Sequence, residues 1–442
     1  MAALAPVRLD AAMTLTGRAV VLALLGVVPV LLRPEPLTAT LWLVLVVVVA
    51  GVDALLAVSP RHLSITRDRV GTIRAETTTT TRLHVHNASR RTARGVLRDA
   101  WQPSAGTSGE RHRIAVAPGA SVEVETALTP VRRGDRHTDL VTVRTLGPLG
   151  IAGRQASVDV PGTVRVLPPF HSRRHLPSRL ARLRQIDGRS AVRVRGQGTE
   201  FDSLREYVEG DDVRSIDWRA SARRSELVVR TWRPERDRRI TLVVDTSRLS
   251  AGRVDDTTRL DAAIEASLLL TALAAHAGDH VDLVAGDRVV RAQLAGVART
   301  DLLAAVSDAL ATVQPAIVEA DWQALASAVA RQARRPSLLV LLTPLEPAAV
   351  AESLLPVLPL LTRRQRVCIA SCADPDLDRM ASARRTAEEA YGAAAAERTR
   401  TQRTQTADAL AGLGVTVVDA PPQDLAPALA DHYLMLKSRG LL

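Results

Sequence analysis

The sequence predicts a multidomain chain: a two-helix transmembrane hairpin, a small antiparallel β-sandwich, and an α/β doubly wound domain. Three observations predict it. Two long apolar runs lie close together near the N-terminus, at 19–32 and 37–58. Short segments that alternate apolar with polar or threonine side chains follow between 61 and 168. From 240 onward, apolar strands and helical stretches take turns to the end of the chain. With 442 residues, 46% of them apolar, two or three domains can each bury a core.

An N-terminal tail and the hairpin come first, over 1–60. "LTATLWLVLVVVVAGVDALLAV" reaches the roughly 20 residues that a bilayer crossing takes. "AVVLALLGVVPVLL" reaches that length by starting near Thr14 and taking in Arg18, whose side chain can snorkel to the headgroups. The expected spans are about 14–33 and 37–58, joined by the tight turn "RPEP". A signal peptide would have no second hydrophobic run directly behind it. Arg8 and Arg18 precede the hairpin, and Arg61, Arg67, Arg69 and Arg74 follow it. Positive charge stays inside, so the expectation is a multi-pass protein of the inner (cytoplasmic) membrane with its soluble domains on the cytoplasmic side. Asp53, near the end of the second span, is expected to meet water at the interface.

The sandwich is expected over 61–168, where "TTTTTRLHVHN", "HRIAVAP", "SVEVETAL" and "LVTVRTL" read as short strands between Gly, Pro, Asn and Asp. His84 and His86 lie two apart and share one strand face, which is expected to be solvated. Two histidines alone make a poor metal site.

The α/β domain is expected over 240–442. "ITLVVD", "HVDLVAG", "SLLVLLT", "RVCIASC" and "GVTVVDA" are its strands, and the fully apolar "SLLVLLT" suits a sheet covered on both faces. Ligands of such a sheet belong at the carboxyl ends of the strands. Cys368 and Cys372 are too few for a disulfide framework or a four-ligand zinc site, and read as one strand and one loop cysteine, both reduced. The net charge of +11 rests almost wholly on arginine, with Lys437 the sole lysine. With 2% aromatic residues and no helix-turn-helix or zinc-finger spacing, no nucleic-acid partner is expected.

Between the two domains, 169–239 reads as an arginine-rich connector that contains "GQGTEFDSLREYVEGDDVRSIDW". Glu200, Asp202, Glu206, Glu209, Asp211, Asp212 and Asp217 gather there, and paired acids can do hydrolytic work. Arg205, Arg214, Arg219, Arg223 and Arg224 are interleaved with them, and ion-paired acids are poor proton donors. No serine–histidine or cysteine–histidine arrangement backs a catalytic site. The favoured reading is a scaffold or docking motif with no catalytic residues: a short helix ending at Gly210, Asp211 or Asp212 capping the next turn of chain, and Trp218 and Trp232 supplying buried area. The alternative is a membrane-bound hydrolase using the acids at 200–217.

The motif as a whole, "GxGxEFxxLREYxxGDDxRxIDWxxSAR", carries Gly196, Gly198, Glu200, Phe201, Arg205, Tyr207, Gly210, Asp211, Asp212, Arg214, Asp217 and Trp218. Followed by an apolar strand ending in Asp, it resembles the signature of the bacterial family called domain of unknown function 58. "LGPLGIAGR" with "VRVLPP" resembles that family's exit from the sandwich, and "LAPALADHYLMLKSRG" its C-terminal helix. The resemblance implies that the α/β domain is von Willebrand factor type A-like. It also implies a protein-binding adaptor that works with a MoxR-type AAA+ ATPase and unknown client proteins, in a chaperone-like or assembly role.

Type A domains often hold a divalent ion through Asp-x-Ser-x-Ser, a threonine and a further Asp, the hard oxygen ligands such a cation wants. In "DTSRLS", Asp245 and Ser247 match, Leu249 takes the next place, and the serine comes one later at Ser250. Thr300 is the candidate threonine, and Pro344 stands where the acid is expected. The resemblance therefore implies a degenerate site, Asp245 and Ser247 only, water-filled or weakly occupied by Mg²⁺. The partner is expected to bind at Asp245, Ser247, Arg248 and Ser250, with the Arg248 guanidinium taking an acidic residue in the metal's place.

Overall fold

The computed structural model describes residues 7–193, 200–209, 211–224, 226–233, 238–332, 337–363 and 365–442. Gly196, Gly198 and Gly210 of the motif lie outside these. Two compact units divide the chain at 169/170.

In the first unit the helical pair consists of Gly17–Leu25 continued by Val27–Leu32, and Pro36–Leu56. The second helix is apolar along 21 residues, roughly 32 Å at about 1.5 Å per residue, and is long enough to cross a bilayer. The first arm is a shorter apolar helix. It breaks at Gly26, whose N–H turns back to Ala23 O at 3.0 Å. The Leu22 carbonyl takes the Trp42 indole N–H instead, at 3.2 Å. A Cβ at residue 26 would lie 2.2 Å from the Trp42 ring, so glycine is what lets the two arms close. In an apolar surrounding every freed carbonyl needs such a partner.

Residues expected to be an N-terminal tail are instead a strand, Val7–Leu15, antiparallel to Ala152–Asp159. Their weak alternation abuts the apolar run, which hides it. This strand belongs to the larger sheet of the sandwich, with Gly134–Leu146, Ala93–Trp101, Arg111–Val116 and Thr163–Leu167. The facing sheet holds Leu63–Arg67, Thr79–Asn87 and Ser121–Leu128. Leu83, Val85 and Val124 from one sheet and Leu97, Val141 and Val143 from the other make the core. His84 and His86 point away from it, and His84 meets Asp68 at 3.0 Å. Arg67, expected to be one of the charges flanking the helices, has its side chain covered, with the guanidinium forked onto Asp99 at 2.6 and 3.0 Å.

Asp53 does not meet water. It is fully buried and accepts the amides of Leu149 (2.8 Å), Ile151 (2.8 Å) and Ala152 (2.9 Å). The "LGPLGIAGR" stretch is the turn that supplies those amides. A Cβ at Gly147 would sit 2.2 Å from both the Asp53 carbonyl and its carboxylate, so only glycine admits the helix this close. Further bonds fasten the same region: Thr145 Oγ1 to Val58 O at 2.6 Å, Arg154 Nε to Ala54 O at 3.0 Å, and Thr16 Oγ1 to Gly150 O at 2.7 Å. The apolar helices are thus built onto the sandwich.

In the second unit the expected connector is in part a packed helix, Leu176–Arg193. Its Leu183 enters the α/β core, and Arg179 pairs with Asp431 at 2.7 Å. The six-stranded sheet runs Val290–Leu294, His280–Gly286, Arg239–Asp245, Leu338–Leu342, Arg366–Cys372, Val415–Ala420. Five strands are parallel, and the edge strand Val290–Leu294 is antiparallel. Ile240, Leu242 and Val244 face one core with helices Arg259–Ala277 and Pro422–Ser438; Val243 faces the other with Trp322–Gln332. Burial on both faces explains why these strands are apolar throughout. Helix Arg259–Ala277 is also long and apolar enough to cross a membrane, but most of it is buried inside this unit. Cys372 ends its strand rather than lying in a loop. Burial pushes the Cys368 thiol up to about 12 and that of Cys372 up to about 11.

Candidate functional site at the carboxyl ends of the sheet

Counted in chain order, the strands of the sheet lie 3-2-1-4-5-6, so the order reverses between Arg239–Asp245 and Leu338–Leu342. The crevice outside the strand ends at such a reversal is where open α/β sheets bind ligands. Val244 pairs with Leu342, which brings the next residues, Asp245 and Thr343, side by side. Thr343 Oγ1 donates to Asp245 Oδ2 at 2.7 Å, and the Ser247 amide donates to Oδ1 at 2.8 Å. Burial pushes the Asp245 carboxyl above the ordinary carboxylate range, against the pull of the Ser247 amide, Thr343 and the Ser247 hydroxyl.

Asp287 follows the neighbouring strand and is also buried. It accepts Thr246 Oγ1 at 2.7 Å and Arg291 at 2.9 and 3.1 Å. Burial raises it, but Arg291, Thr246 and the amides of Arg288 and Val289 outweigh burial and hold it below its ordinary value. Neither Thr343 nor Asp287 stood out in the sequence. The available signal was position: each directly follows a buried strand.

A cover lies over this floor. The Ala316 amide bonds to Thr246 O (2.8 Å), the Arg248 amide to Val318 O (2.9 Å), and the Asp321 amide to Asp287 O (3.2 Å). Of the four residues expected to meet a partner, Asp245, Ser247 and Ser250 are buried. Arg248 reaches the surface, but its charge is not free; it pairs with Glu319 at 2.7 Å. Beside that pair, Ile317 is 92% exposed.

A divalent cation does not fit these residues. Asp245 is one carboxylate with both oxygens engaged, Asp287 is given to Arg291, and Leu249 and Pro344 bring no ligand. Thr300 is exposed ahead of the helix Leu302–Ala311 and makes no bond to Asp245. Among the described residues no group of three His, Cys, Asp or Glu could hold a metal. Among the described residues of the crevice, the Ser247 hydroxyl is buried and lies beside the Asp245 carboxylate.

The acidic motif is built differently from the expectation. Glu200–Glu206 is a strand, not a helix, and pairs antiparallel with Val228–Arg233, Phe201 opposite Trp232. Leu204, Arg205 and Glu206, expected in the short helix, instead pair with Arg230, Val229 and Val228. The half-buried Tyr207 continues the pairing, its amide bonded to Leu227 O at 2.8 Å. Asp211 closes the turn by accepting Arg205 and the Val208 amide. Asp212 caps the single turn Val213–Ser215 through the Arg214 amide at 3.0 Å. Asp217 caps the helix Trp218–Arg224 through the Arg219 and Ala220 amides, both at 3.0 Å, and accepts Arg230 Nε at 2.8 Å. Arg205 above all holds the Asp211 carboxyl low, and the Ala220 amide with Arg230 does the same for Asp217. Trp218, expected to be buried, is 65% exposed.

Residues 203–377 match the family model described as "Protein of unknown function DUF58". The chain carries a DUF58 domain. That match takes in both the motif from Ser203 onward and the carboxyl-end crevice. The Uncharacterized protein YeaD of Bacillus subtilis (strain 168) is 28% identical over 149 residues, which is 34% of this chain and 37% of that protein. The chain therefore spans well under half the length of this curated relative. Two solved structures are similar to about a quarter of the chain. The CARDB domain of the PF1109 protein from Pyrococcus furiosus is 12% identical over 24% of this chain and 91% of that one, with a TM-score of 0.17. A non-cellulosomal cohesin from Archaeoglobus fulgidus is 12% identical over 26% and 96%, with a TM-score of 0.17. Neither likeness bears on what the DUF58 domain does.

Proposed function

We propose that this protein is a membrane-anchored adaptor whose DUF58 domain binds a protein partner at the carboxyl-end face of its sheet. The observation that carries the reading is Ile317, almost wholly exposed beside the Arg248–Glu319 pair, above a floor locked by hydrogen bonds. An exposed apolar side chain ringed by charge is the usual anatomy of a docking anchor. The strand order with its antiparallel edge supports a type A-like domain, which fits binding at this face. The apolar helices support the anchor, and the arginines around them support a cytoplasmic placement of the domains. The partner implied by the family resemblance is a MoxR-type AAA+ ATPase or its client. The hydrolase alternative is less favoured, because Arg205 holds the Asp211 carboxyl low, the Ala220 amide with Arg230 does the same for Asp217, and acids shifted that way are poor general acids near neutral pH.

The test is the affinity of full-length protein in nanodiscs for a MoxR-type ATPase from the same genome. Ile317→Asp should weaken binding about tenfold or more, as loss of an apolar anchor does. Arg248→Glu should weaken it less, and EDTA should leave it unchanged. Binding that survives Ile317→Asp, or that is lost on chelation, would overturn this face as the docking site.

A further inference from the structure

The end of the sandwich that receives the helices is itself suited to lipid. The Leu149 amide bonds to Asp53, in the last turn of the long apolar helix, so this turn lies level with the end of the apolar band. Apolar side chains stay exposed at that level. Leu149 is 55% exposed at the tip of its turn, and Leu15, exposed as well, ends the strand beside it.

Three arginines surround the same place. Arg18 donates to Leu149 O at 2.9 Å, Arg91 to Leu56 O at 3.3 Å, and Arg154 to Ala54 O at 3.0 Å. Two of these carbonyls belong to the end of the apolar helix, which is also the negative end of its dipole. Among the described residues none of the three arginines has a carboxylate partner. Elsewhere in the sandwich Arg82, Arg98 and Arg165 do, at 2.6, 2.9 and 2.8 Å, while Arg144 bonds Gln155 at 3.1 Å. Unpaired guanidinium groups at the edge of an apolar band are placed to take phosphate oxygens through paired hydrogen bonds.

We infer that the Leu149 turn is a second membrane contact, seated in the lipid interface, with Arg18, Arg91 and Arg154 holding anionic phospholipid headgroups. Leucine enters the acyl boundary and arginine stays at headgroup depth, the division of labour seen at membrane surfaces. Because Asp53 fixes the turn to the helix, the bilayer then sets the orientation of the sandwich, not merely its address. The inference rests on the membrane-anchor part of the proposed function.

The test uses the full chain in nanodiscs, with an environment-sensitive dye on an introduced cysteine. The native Cys368 and Cys372 are buried thiols pushed up to about 12 and about 11, and stay unlabelled at neutral pH. Val47→Cys, in the middle of the long helix, reports the anchor; Leu149→Cys reports the seating; Val131→Cys, on an exposed sandwich loop, reports water. Lipids with a spin label high on the acyl chain should quench Leu149→Cys more than deeply labelled ones, with the reverse for Val47→Cys and no quenching of Val131→Cys. Emission from Leu149→Cys should shift further to the blue in phosphatidylglycerol than in phosphatidylcholine, and Arg18→Gln with Arg91→Gln should abolish that difference. Quenching at Val47→Cys without any at Leu149→Cys overturns the inference and leaves the anchor standing. No quenching at Val47→Cys overturns both. Equal emission in the two lipids overturns the headgroup role of the arginines.

Discussion

Asp53 and Asp217 make nearly the same bonds in two different regions. Asp53 accepts three backbone amides at 2.8–2.9 Å from a turn of the sandwich. Asp217 accepts two at 3.0 Å from a helix start, and an arginine at 2.8 Å. What separates them is water. Asp53 is fully buried, while the Asp217 side chain is 13% exposed, its partner Arg230 is half exposed and Trp218 next to it is open to solvent. A hydrogen bond to a charge contributes about 1.5–3 kcal/mol net, and an ion pair open to water about 1 kcal/mol or less, whereas an amide stranded in the interior loses its full solvation. The conspicuous acidic motif should therefore matter less to folding than one aspartate in an apolar helix.

The largest expected effect breaks the buried case. Asp53→Ala leaves the amides of Leu149, Ile151 and Ala152 without an acceptor, and should cost about 3 kcal/mol or more. Urea unfolding of the full-length protein in detergent measures the loss, and hydrogen exchange locates it at residues 149–152. If those amides stay protected, the turn is held by something other than Asp53, and the contrast with Asp217 disappears.

The sequence carried the architecture but not this contrast. "SVEVETAL", "HVDLVAG" and "RVCIASC" are strands over the residues expected, because alternation or unbroken apolar character follows directly from which faces are buried. Val7–Leu15 was hidden by the apolar run behind it. Leu204–Glu206 has helix-forming residues but pairs as a strand, because the distant partner Val228–Arg233 decides it and local propensity does not. At the crevice, Asp245 was legible from its place after an apolar strand. Its bond to Thr343 was not, since 98 residues separate them and only sheet order brings them together. Ile317 was equally silent, as a lone apolar residue in a loop shows nothing of its exposure.

An intermediate effect sharpens the comparison through pH. Asp245 is buried like Asp53 but accepts one amide and the Thr343 hydroxyl, and burial raises its folded pKa above the unfolded value of about 3.9. A raised pKa means that the folded state holds the proton more tightly. Its stabilising contribution is present below about pH 3.9 and is lost as pH rises through the folded value, with a slope of at most about 1.4 kcal/mol per pH unit. Asp245→Asn cannot ionise, so its cost relative to wild type should be greatest at low pH and shrink toward neutrality. Asp279, also raised by burial, is present in both proteins and cancels in the difference. Melts at several pH values check this, and a cost that grows with pH would mean that the hydrogen bonds, not burial, govern Asp245.

The smallest effect belongs to Asp217→Asn, and its sign with pH is the opposite. The Ala220 amide and Arg230 hold the Asp217 carboxyl below its ordinary value, as Arg205 does for Asp211. A lowered folded pKa gives stability that is present above about pH 3.9 and is lost as pH falls through the folded value. The hairpin of Glu200–Glu206 and Val228–Arg233 should therefore loosen on acidification. Asparagine can still accept an amide at the start of Trp218–Arg224, so near neutral pH the substitution should raise exchange only at Arg219 and Ala220. The melt of the α/β core should not move, because no apolar contact is lost there. If Asp217→Asn instead lowers the core's melting temperature as much as Asp53→Ala lowers that of the sandwich, solvent access does not set the worth of these bonds. The motif would then be part of the DUF58 domain's foundation and not a surface free to meet a partner.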